Sequence, residues 1–160
     1  MDCIVNPLSP IVREGCHTLI LGTMASPKSR EVGFHYGHPQ NRFWRVLSAV
    51  YGCDVPKNQT ERETLLLDNG VALWDVLASC EIAGASDASI REPVANDVAA
   101  LIRRYGIERI FTTGQTAAKL YRKLLEKDVG LACTALPSPS PANCAVPFEK
   151  MVEAYRVLKR

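Results

Sequence analysis

The chain of 160 residues is 47% hydrophobic and 22% charged, and 19 basic against 17 acidic side chains give a net charge of +2. This length fits a single domain spanning residues 1–160, and the apolar content excludes intrinsic disorder. A net charge so close to zero does not by itself indicate nucleic acid, so any DNA-binding hypothesis must rest on local features.

Six scattered cysteines include no C-x-x-C pair, so the sequence shows neither of the spacings typical of zinc and redox sites. The first fifteen residues lack the apolar stretch of a secretion signal, and no apolar run reaches the roughly 18 residues that a membrane span needs. We therefore expect a cytoplasmic protein with reduced thiols and no membrane association.

Four short, continuous apolar runs predict the buried strands of a parallel sheet that is covered on both faces. These runs are Thr18–Gly22, Val71–Trp74, Arg109–Thr112 and Leu131–Ala135. Helical patterns cover Asn41–Tyr51, Glu61–Asp68, Pro93–Tyr105, Gln115–Glu126 and Pro147–Leu158. Strands that alternate with helices predict an α/β fold in three layers, α/β/α, with a central four-stranded parallel sheet.

Ligand sites in such sheets lie beyond the carboxyl ends of the strands. Segments 22–41, 74–80, 113–116 and 136–143 follow the predicted strands there. The first and last of these are long, polar and rich in Gly, Pro and Ser, as is typical of functional loops.

The first of these loops continues into a predicted helix as GTMASPKSREVGFHYGHPQNRFW. Gly22 would let a ligand approach backbone amides closely, because glycine has no Cβ. Asn41 precedes the helix and suits an N-cap, while Phe43 and Trp44 could simply pack in the core. A functional and a purely structural interpretation therefore both remain open for this stretch.

The last loop reads LPSPSPAN, and its three prolines stiffen it toward an extended backbone. Its serine hydroxyls suit phosphate contacts, and a rigid loop of this kind can enter a nucleic-acid groove as a wedge. A plain connector before the last helix explains the same residues equally well.

Taken together, GTMAS, GFHYGHPQNRFW, GVALWD and LPSPSPAN resemble the motifs of the uracil-DNA glycosylase superfamily in order and spacing. WDVLASC and GQTAAK make the resemblance strongest to its hypoxanthine-DNA (deoxyinosine) glycosylase branch, and GFHYGHPQNRFW is also similar to mismatch-specific uracil/thymine-DNA glycosylases. The matched segments run from about Leu19 to Asn143.

This resemblance implies a uracil-DNA glycosylase-like fold and a monofunctional base-excision enzyme. Such an enzyme flips a deaminated base out of DNA and hydrolyses its N-glycosidic bond without cutting the strand. It also implies a monomer, associated with the nucleoid if the source is prokaryotic, that needs no organic cofactor, no metal ion and no iron–sulfur cluster.

The resemblance also suggests which residue handles the attacking water. Many superfamily members place Asp or Asn where this chain has Met24, and a thioether cannot polarise water. In the hypoxanthine branch the Asn of the HPQN segment, here Asn41, takes over as the catalytic residue. An amide oxygen that holds water is sufficient when the transition state is cation-like.

For base recognition, the resemblance implies that the Tyr36 ring stacks on the flipped base. Asp75 ends the second strand, and its carboxylate could accept from N1–H of hypoxanthine and repel adenine, or it could cap the next turn. Backbone amides at Thr23 and Met24, or a protonated His35 or His38, could stabilise the leaving base.

We expect substrate contacts from Gly22, Thr23, Met24, Tyr36, His38 and Asp75, and DNA contacts from Ser138, Pro139, Ser140, Pro141 and Asn143. Lys28, Arg30 and Arg42 could add a basic rim. The leading hypothesis is excision of hypoxanthine. The alternatives are a glycosylase for uracil or for G:U and G:T mismatches, and a lesion-binding protein without turnover.

Overall fold

The computed structural model describes residues 2–82 and 89–160. The strands of this part are β1 (Asp2–Val5), β2 (Thr18–Gly22), β3 (Val71–Asp75), β4 (Leu77–Ile82), β5 (Arg91–Ala95), β6 (Arg109–Thr113) and β7 (Cys133–Leu136). The helices are α1 (Pro27–Val32), α2 (Phe43–Tyr51), α3 (Gln59–Leu67), α4 (Val98–Tyr105), α5 (Gln115–Leu124), α6 (Glu126–Val129) and α7 (Phe148–Tyr155). A 3-10 turn over Arg156–Leu158 follows the last helix.

The predicted parallel sheet is confirmed. Its four strands lie in the order β3-β2-β6-β7, and all three pairings are parallel. Side chains alternate between its faces, so Ile20 points into one core while Leu19 and Leu21 point into the other. Both faces are covered, which explains why these strands are continuous apolar runs in the sequence.

Helices α2, α3 and α7 cover the first face of the parallel sheet. Along α2, Phe43, Val46, Leu47 and Val50 recur at helical spacing, and all four are buried against the sheet. Each fully buried side chain of this kind contributes about 1.5–3 kcal/mol. Packing of this face therefore fixes the start of α2, and with it the loop before the helix, over the end of the sheet.

Helices α4 and α5 cover the other face, together with a second sheet that the sequence did not predict. This sheet is antiparallel, with the order β1-β4-β5. It corrects two predictions. Segment 74–80 is mostly strand β4 rather than loop, and Pro93 lies in β5 rather than in the first turn of a helix.

Helix α4 begins later than predicted because Asp97 caps it, accepting from the Ala100 amide at 3.1 Å. β5 is an edge strand, where the missing N–H of Pro93 is tolerated. β7 also begins two residues later than predicted, at Cys133. In the part of the chain that the structure describes, every helix is too short or too polar to cross a lipid bilayer.

Candidate active site

A cleft of about 350 Å³ opens at the edge where β2, β3, β6 and β7 end. The parallel register brings Gly22 beside Asp75 and Thr113 beside Leu136, so the loops after these strands converge there. Every residue expected to bind substrate or DNA lines this cleft except Asn143, and the expected catalytic residue Asn41 lines it as well. Tertiary structure thus brings together segments that are widely separated in the sequence.

The floor of the cleft is built around Gly22. An ideal Cβ on this glycine would lie 2.5 Å from Asp75 Oδ1 and 3.0 Å from Tyr36 Oη, and Thr113 Oγ1 would be 3.6 Å away. Three oxygen atoms from three different segments therefore surround a space that only glycine leaves open. We call this space the Gly22 notch. These oxygens lie too close for a side chain at residue 22, so the notch marks tight packing of Gly22 against Asp75 and Tyr36.

Tyr36 is held rigidly beside this notch. Its ring stacks on Phe43 with 3.9 Å between centroids and 13° between planes, and its hydroxyl lies 2.7 Å from Thr113 Oγ1. Burial first, and then the nearby Asp75 carboxylate, raises the pKa of Tyr36 well above its ordinary value. The phenol therefore stays protonated well above neutral pH.

Asp75 is only 4% exposed and is held by residues from distant segments. Its Oδ2 accepts a hydrogen bond from Asn6 Nδ2 at 2.9 Å and lies 3.7 Å from His35 Nδ1. His35 is 3% exposed, and its Nε2 donates to the Ser9 carbonyl at 3.0 Å. The hydrogen bond from Asn6 holds Oδ2, and Oδ1 lies toward the Gly22 notch.

Asn41 lies two residues before the start of α2 and is half-buried at the cleft. The N-cap position of α2 is occupied by Arg42 and not, as the sequence suggested, by Asn41. Asn41 Oδ1 accepts from the Phe43 amide at 2.9 Å, so it ties down the turn that leads into the helix. A carbonyl oxygen has a second lone pair, which leaves the same atom able to accept from a water molecule in the cleft. The two interpretations of Asn41 are therefore compatible.

The remaining substrate-binding candidates line the same cleft. His38 Nδ1 accepts from the Gln40 amide at 3.1 Å, so the proton of the uncharged ring lies on Nε2. Thr23 and Met24 follow Gly22 directly, and the Met24 side chain also packs against the α4–α5 core.

The last loop is held by its own backbone. Ser138 Oγ accepts from the Ser140 amide and Ser140 Oγ from the Ala142 amide, both at 3.2 Å, which leaves each hydroxyl proton available for donation. Pro139 is buried and Pro141 half-buried, so neither is a freely projecting wedge. Asn143 uses its Nδ2 to bind the Ser138 carbonyl at 2.9 Å, which folds the loop.

Arg42 corrects the expected basic rim. Its two terminal nitrogens donate to the carbonyls of Val146 at 2.8 Å and Asn143 at 2.7 Å, and its amide donates to the Pro139 carbonyl at 3.1 Å. The residue therefore fastens the last loop to the start of α2. Arg30 does line the cleft, and Lys28 lies 3.6 Å from Glu31 in an exposed ion pair.

Sequence reasoning missed the contribution of residues 6–9 and of Thr113. Asn6, Leu8 and Ser9 belong to a short segment without a periodic pattern, and nothing local predicts that Leu8 lines the cleft. Thr113 lies in segment 113–116, which the sequence placed at the carboxyl edge of the sheet, but no contact was predicted for it; it is the last residue of β6. In the described ranges, His, Cys, Asp and Glu form no group of three or more that could hold a metal ion.

Comparison with known proteins agrees with this architecture. A family model described as the uracil DNA glycosylase superfamily matches residues 11–159. A Methanosarcina acetivorans protein named hypoxanthine DNA glycosylase is 30% identical over 134 residues, or 83% of this chain and 84% of that protein. A protein of the same name from Methanosarcina barkeri is 33% identical over 93 residues, which cover 58% of this chain and only 59% of that relative.

Structural comparison gives the same grouping. The solution NMR structure of a Methanosarcina acetivorans protein, described as a candidate uracil DNA glycosylase, superposes with a TM-score of 0.81 at 25% identity. The superposition covers 98% of this chain and 99% of the other. The family match spans nearly the whole chain, and the described fold has the expected parallel sheet with its cleft. The chain therefore belongs to the uracil DNA glycosylase superfamily.

Proposed function

We propose that this protein is a monofunctional DNA glycosylase of base-excision repair that removes hypoxanthine from DNA. The observation that carries the proposal is the convergence of Tyr36, Asn41 and Asp75 on one cleft. The family match and the two relatives named hypoxanthine DNA glycosylase support it.

The cleft has the dimensions and rigidity for an extruded base. About 350 Å³ lies within the roughly 300–1,000 Å³ typical of small-molecule sites. The bond to be cut is inaccessible in stacked duplex DNA, so the nucleotide must leave the stack before it reacts. Tyr36, fixed from behind by Phe43, offers the flipped base a prearranged ring for stacking.

Hydrolysis then needs one water molecule beside the sugar. As the C1′–N9 bond breaks, its electron pair leaves with the base and the sugar becomes cation-like. Asn41 Oδ1 accepts a hydrogen bond from the water, and the water oxygen forms the new bond to C1′. The proton that the water loses passes through solvent to the departing base anion, which is released as neutral hypoxanthine. Asn41 supplies position rather than basicity, which is sufficient when the base leaves largely by itself.

Base recognition follows from the hydrogen-bonding capacity of Asp75. An ionised carboxylate only accepts hydrogen bonds, and hypoxanthine presents N1–H whereas adenine presents a bare nitrogen acceptor at that position. Adenine would leave two acceptors facing each other in a buried site, which costs about 1–3 kcal/mol for each unpaired group. The same cleft would thus reject the undamaged parent base.

DNA contacts are assigned to the last loop. The hydroxyl protons of Ser138 and Ser140 are available to phosphate oxygens, because both hydroxyls already accept from backbone amides. We expect the protein to act as a monomer on DNA that contains deaminated bases, with no added cofactor.

The test uses a duplex with one hypoxanthine, incubated with the protein and then heated in alkali to cut abasic sites. Strand cleavage at the hypoxanthine supports the proposal, and cleavage only after alkali supports the monofunctional assignment. A matched duplex with adenine at that position is the control.

Duplexes with uracil or a G:T mismatch, run in parallel, separate the alternatives. Uracil also presents an N–H beside a carbonyl, and the structurally similar Methanosarcina protein is described as a candidate uracil DNA glycosylase. Cleavage at uracil but not at hypoxanthine would replace the proposed substrate. Tight lesion binding without any abasic product would instead indicate a protein without turnover.

A further inference from the structure

Leu8 forms part of the cleft wall, and its neighbours Asn6 and Ser9 contact residues of the wall, although all three precede the region that the family model matches, residues 11–159. Leu8 lines the cleft, and the Ser9 carbonyl accepts from His35 Nε2. Asn6 donates its side-chain amide to Asp75 Oδ2 at 2.9 Å and to the Leu77 carbonyl at 3.1 Å. This segment thus reaches the carboxylate that faces the substrate.

We propose that Asn6 is a positioning residue that sets base specificity by holding the Asp75 carboxylate in place, so that one oxygen accepts from Asn6 and the other is left to accept from the substrate. The inference rests on the proposed function, because it concerns how the same cleft recognises its base. Asn6 itself does not line the cleft, so it acts through Asp75.

The geometry around Asp75 gives its two oxygens different tasks. Oδ2 accepts from Asn6 and faces His35 Nδ1 at 3.7 Å. Oδ1 faces the Gly22 notch, 2.5 Å from the ideal Cβ position, with Tyr36 Oη 3.0 Å from the same point. The bond to Asn6 therefore restrains rotation of the carboxylate: Oδ2 is engaged by a protein donor, and Oδ1 is the oxygen left to accept from a base in the cleft.

Asn6 is itself fixed by further hydrogen bonds. Its side-chain Oδ1 accepts from the Leu8 backbone amide at 3.0 Å, and its backbone N–H donates to the Ala78 carbonyl at 2.8 Å. Because Oδ1 of Asn6 is engaged with Leu8, the side-chain amide presents its N–H groups, not its oxygen, to Asp75. A donor at this place keeps Oδ2 an acceptor, so the base edge must bring its own donor to Oδ1.

Asn96 provides a matched control on the same stretch of backbone. Its Nδ2 donates to the carbonyls of Asp75 at 2.9 Å and Leu77 at 3.2 Å, so it holds the main chain of this segment. The side-chain amide of Asn96 thus binds backbone carbonyls of this segment, whereas the side-chain amide of Asn6 binds the Asp75 carboxylate. Asn6→Asp and Asn96→Asp are the same chemical change, but only the first removes a donor to the carboxylate.

The experiment compares duplexes that contain deoxyinosine or deoxynebularine, whose purine base lacks both N1–H and the 6-oxygen. Single-turnover excision is followed for up to a day for the wild type, Asn6→Asp, Asn6→Ala and Asn96→Asp. Dividing the inosine rate by the nebularine rate for each protein cancels general losses of activity. Comparing that ratio with the wild-type ratio also cancels the intrinsic lability of each nucleoside.

Both Asn6 variants should lower the ratio of inosine to nebularine excision by at least about tenfold. A carboxylate that is no longer held by Asn6 loses its hydrogen bond to N1–H of hypoxanthine, a bond to a charged group. Asn96→Asp should keep the wild-type ratio within about twofold, whatever its effect on thermal stability. An unchanged ratio in the Asn6 variants, or an equal fall in Asn96→Asp, would overturn the assignment.

Two further outcomes are decisive. If the wild type releases no hypoxanthine, the proposed function fails, and the role of Asn6 fails with it. If the wild type is active and the Asn6 variants keep its ratio, only the role of Asn6 fails. If both Asn6 variants are unfolded by circular dichroism while Asn96→Asp is folded, Asn6 is a structural residue and the proposal is overturned.

Discussion

Replacement of Asn41 by alanine would separate its two tasks, holding the start of α2 and holding a water molecule. The first task is visible as the 2.9 Å hydrogen bond from the Phe43 amide to Oδ1. Losing such a bond at a helix start costs about 1 kcal/mol, which leaves most of a normally stable domain folded. Losing the second task should slow single-turnover excision of hypoxanthine by at least about 100-fold, the typical cost of a misplaced reacting group.

Two further substitutions at this position sharpen the test. Asn41→Asp keeps an oxygen acceptor of the same size, and a negative charge at a helix start is favourable by about 0.3–1 kcal/mol, so stability and much of the activity should be retained. Asn41→Ser preserves the turn with a shorter side chain, so its stability should be close to that of the wild type and its rate close to that of Asn41→Ala.

Asn58→Ala is the matched control, because Asn58 Oδ1 accepts from the Glu61 amide at 2.8 Å at the start of α3 and is not a cleft residue. It should lower the melting temperature by a similar amount and leave the excision rate unchanged. Each variant is assayed by alkali cleavage with enzyme in excess and by thermal unfolding. An Asn41→Ala protein that melts earlier but excises hypoxanthine at the wild-type rate would refute the water-holding role.

Three more substitutions or conditions probe the floor of the cleft. Gly22→Ala places a methyl group 2.5 Å from Asp75 Oδ1, so it should cost about 1–3 kcal/mol of unfolding free energy and block excision. A stable, active variant would show that the contact between residue 22 and Asp75 is not tight. Asp75→Asn should lower the ratio of hypoxanthine to uracil or adenine excision about tenfold, and an unaltered substrate profile would remove its reading role. Burial raises the pKa values of Tyr36 and Tyr155, so their phenols stay protonated in the folded chain above pH 10 while those of the unfolded chain ionise. The unfolding free energy measured in urea should therefore fall above about pH 9 by up to about 1.4 kcal/mol per pH unit for each tyrosine, and a flat profile from pH 9 to pH 11 would contradict this.

The amino-acid sequence was sufficient to predict the central sheet because burial of a parallel strand on both faces is a local property. Continuous apolar runs such as Thr18–Gly22 can be recognised without knowing their neighbours, and the strand is buried throughout. The common edge of the strands then follows from parallel topology, which is why Asn41, Tyr36 and Asp75 could be placed near one cleft.

The second sheet and the supports of the site could not be predicted in this way. β1 pairs with β4, 74 residues away at Val5 and its partner Ser79, and its edge-strand position requires no strong apolar pattern. The bond from Asn6 to Asp75 joins residues 69 positions apart, and the bonds from Arg42 to the last loop join residues more than 100 positions apart. Such polar contacts form only where two remote segments come together in the fold, and the sequence of neither segment predicts its partner.

The sequence alone thus determined the layers of this protein, the edge of the sheet that holds the cleft and the residue types that face it. Tertiary structure decided how those residues are held: Asp75 by Asn6, Tyr36 by Phe43 and Thr113, and the last loop by Arg42. The physical reason is that burial is encoded in local periodicity, whereas the orientation of a polar side chain is set by partners that only folding brings within hydrogen-bond distance.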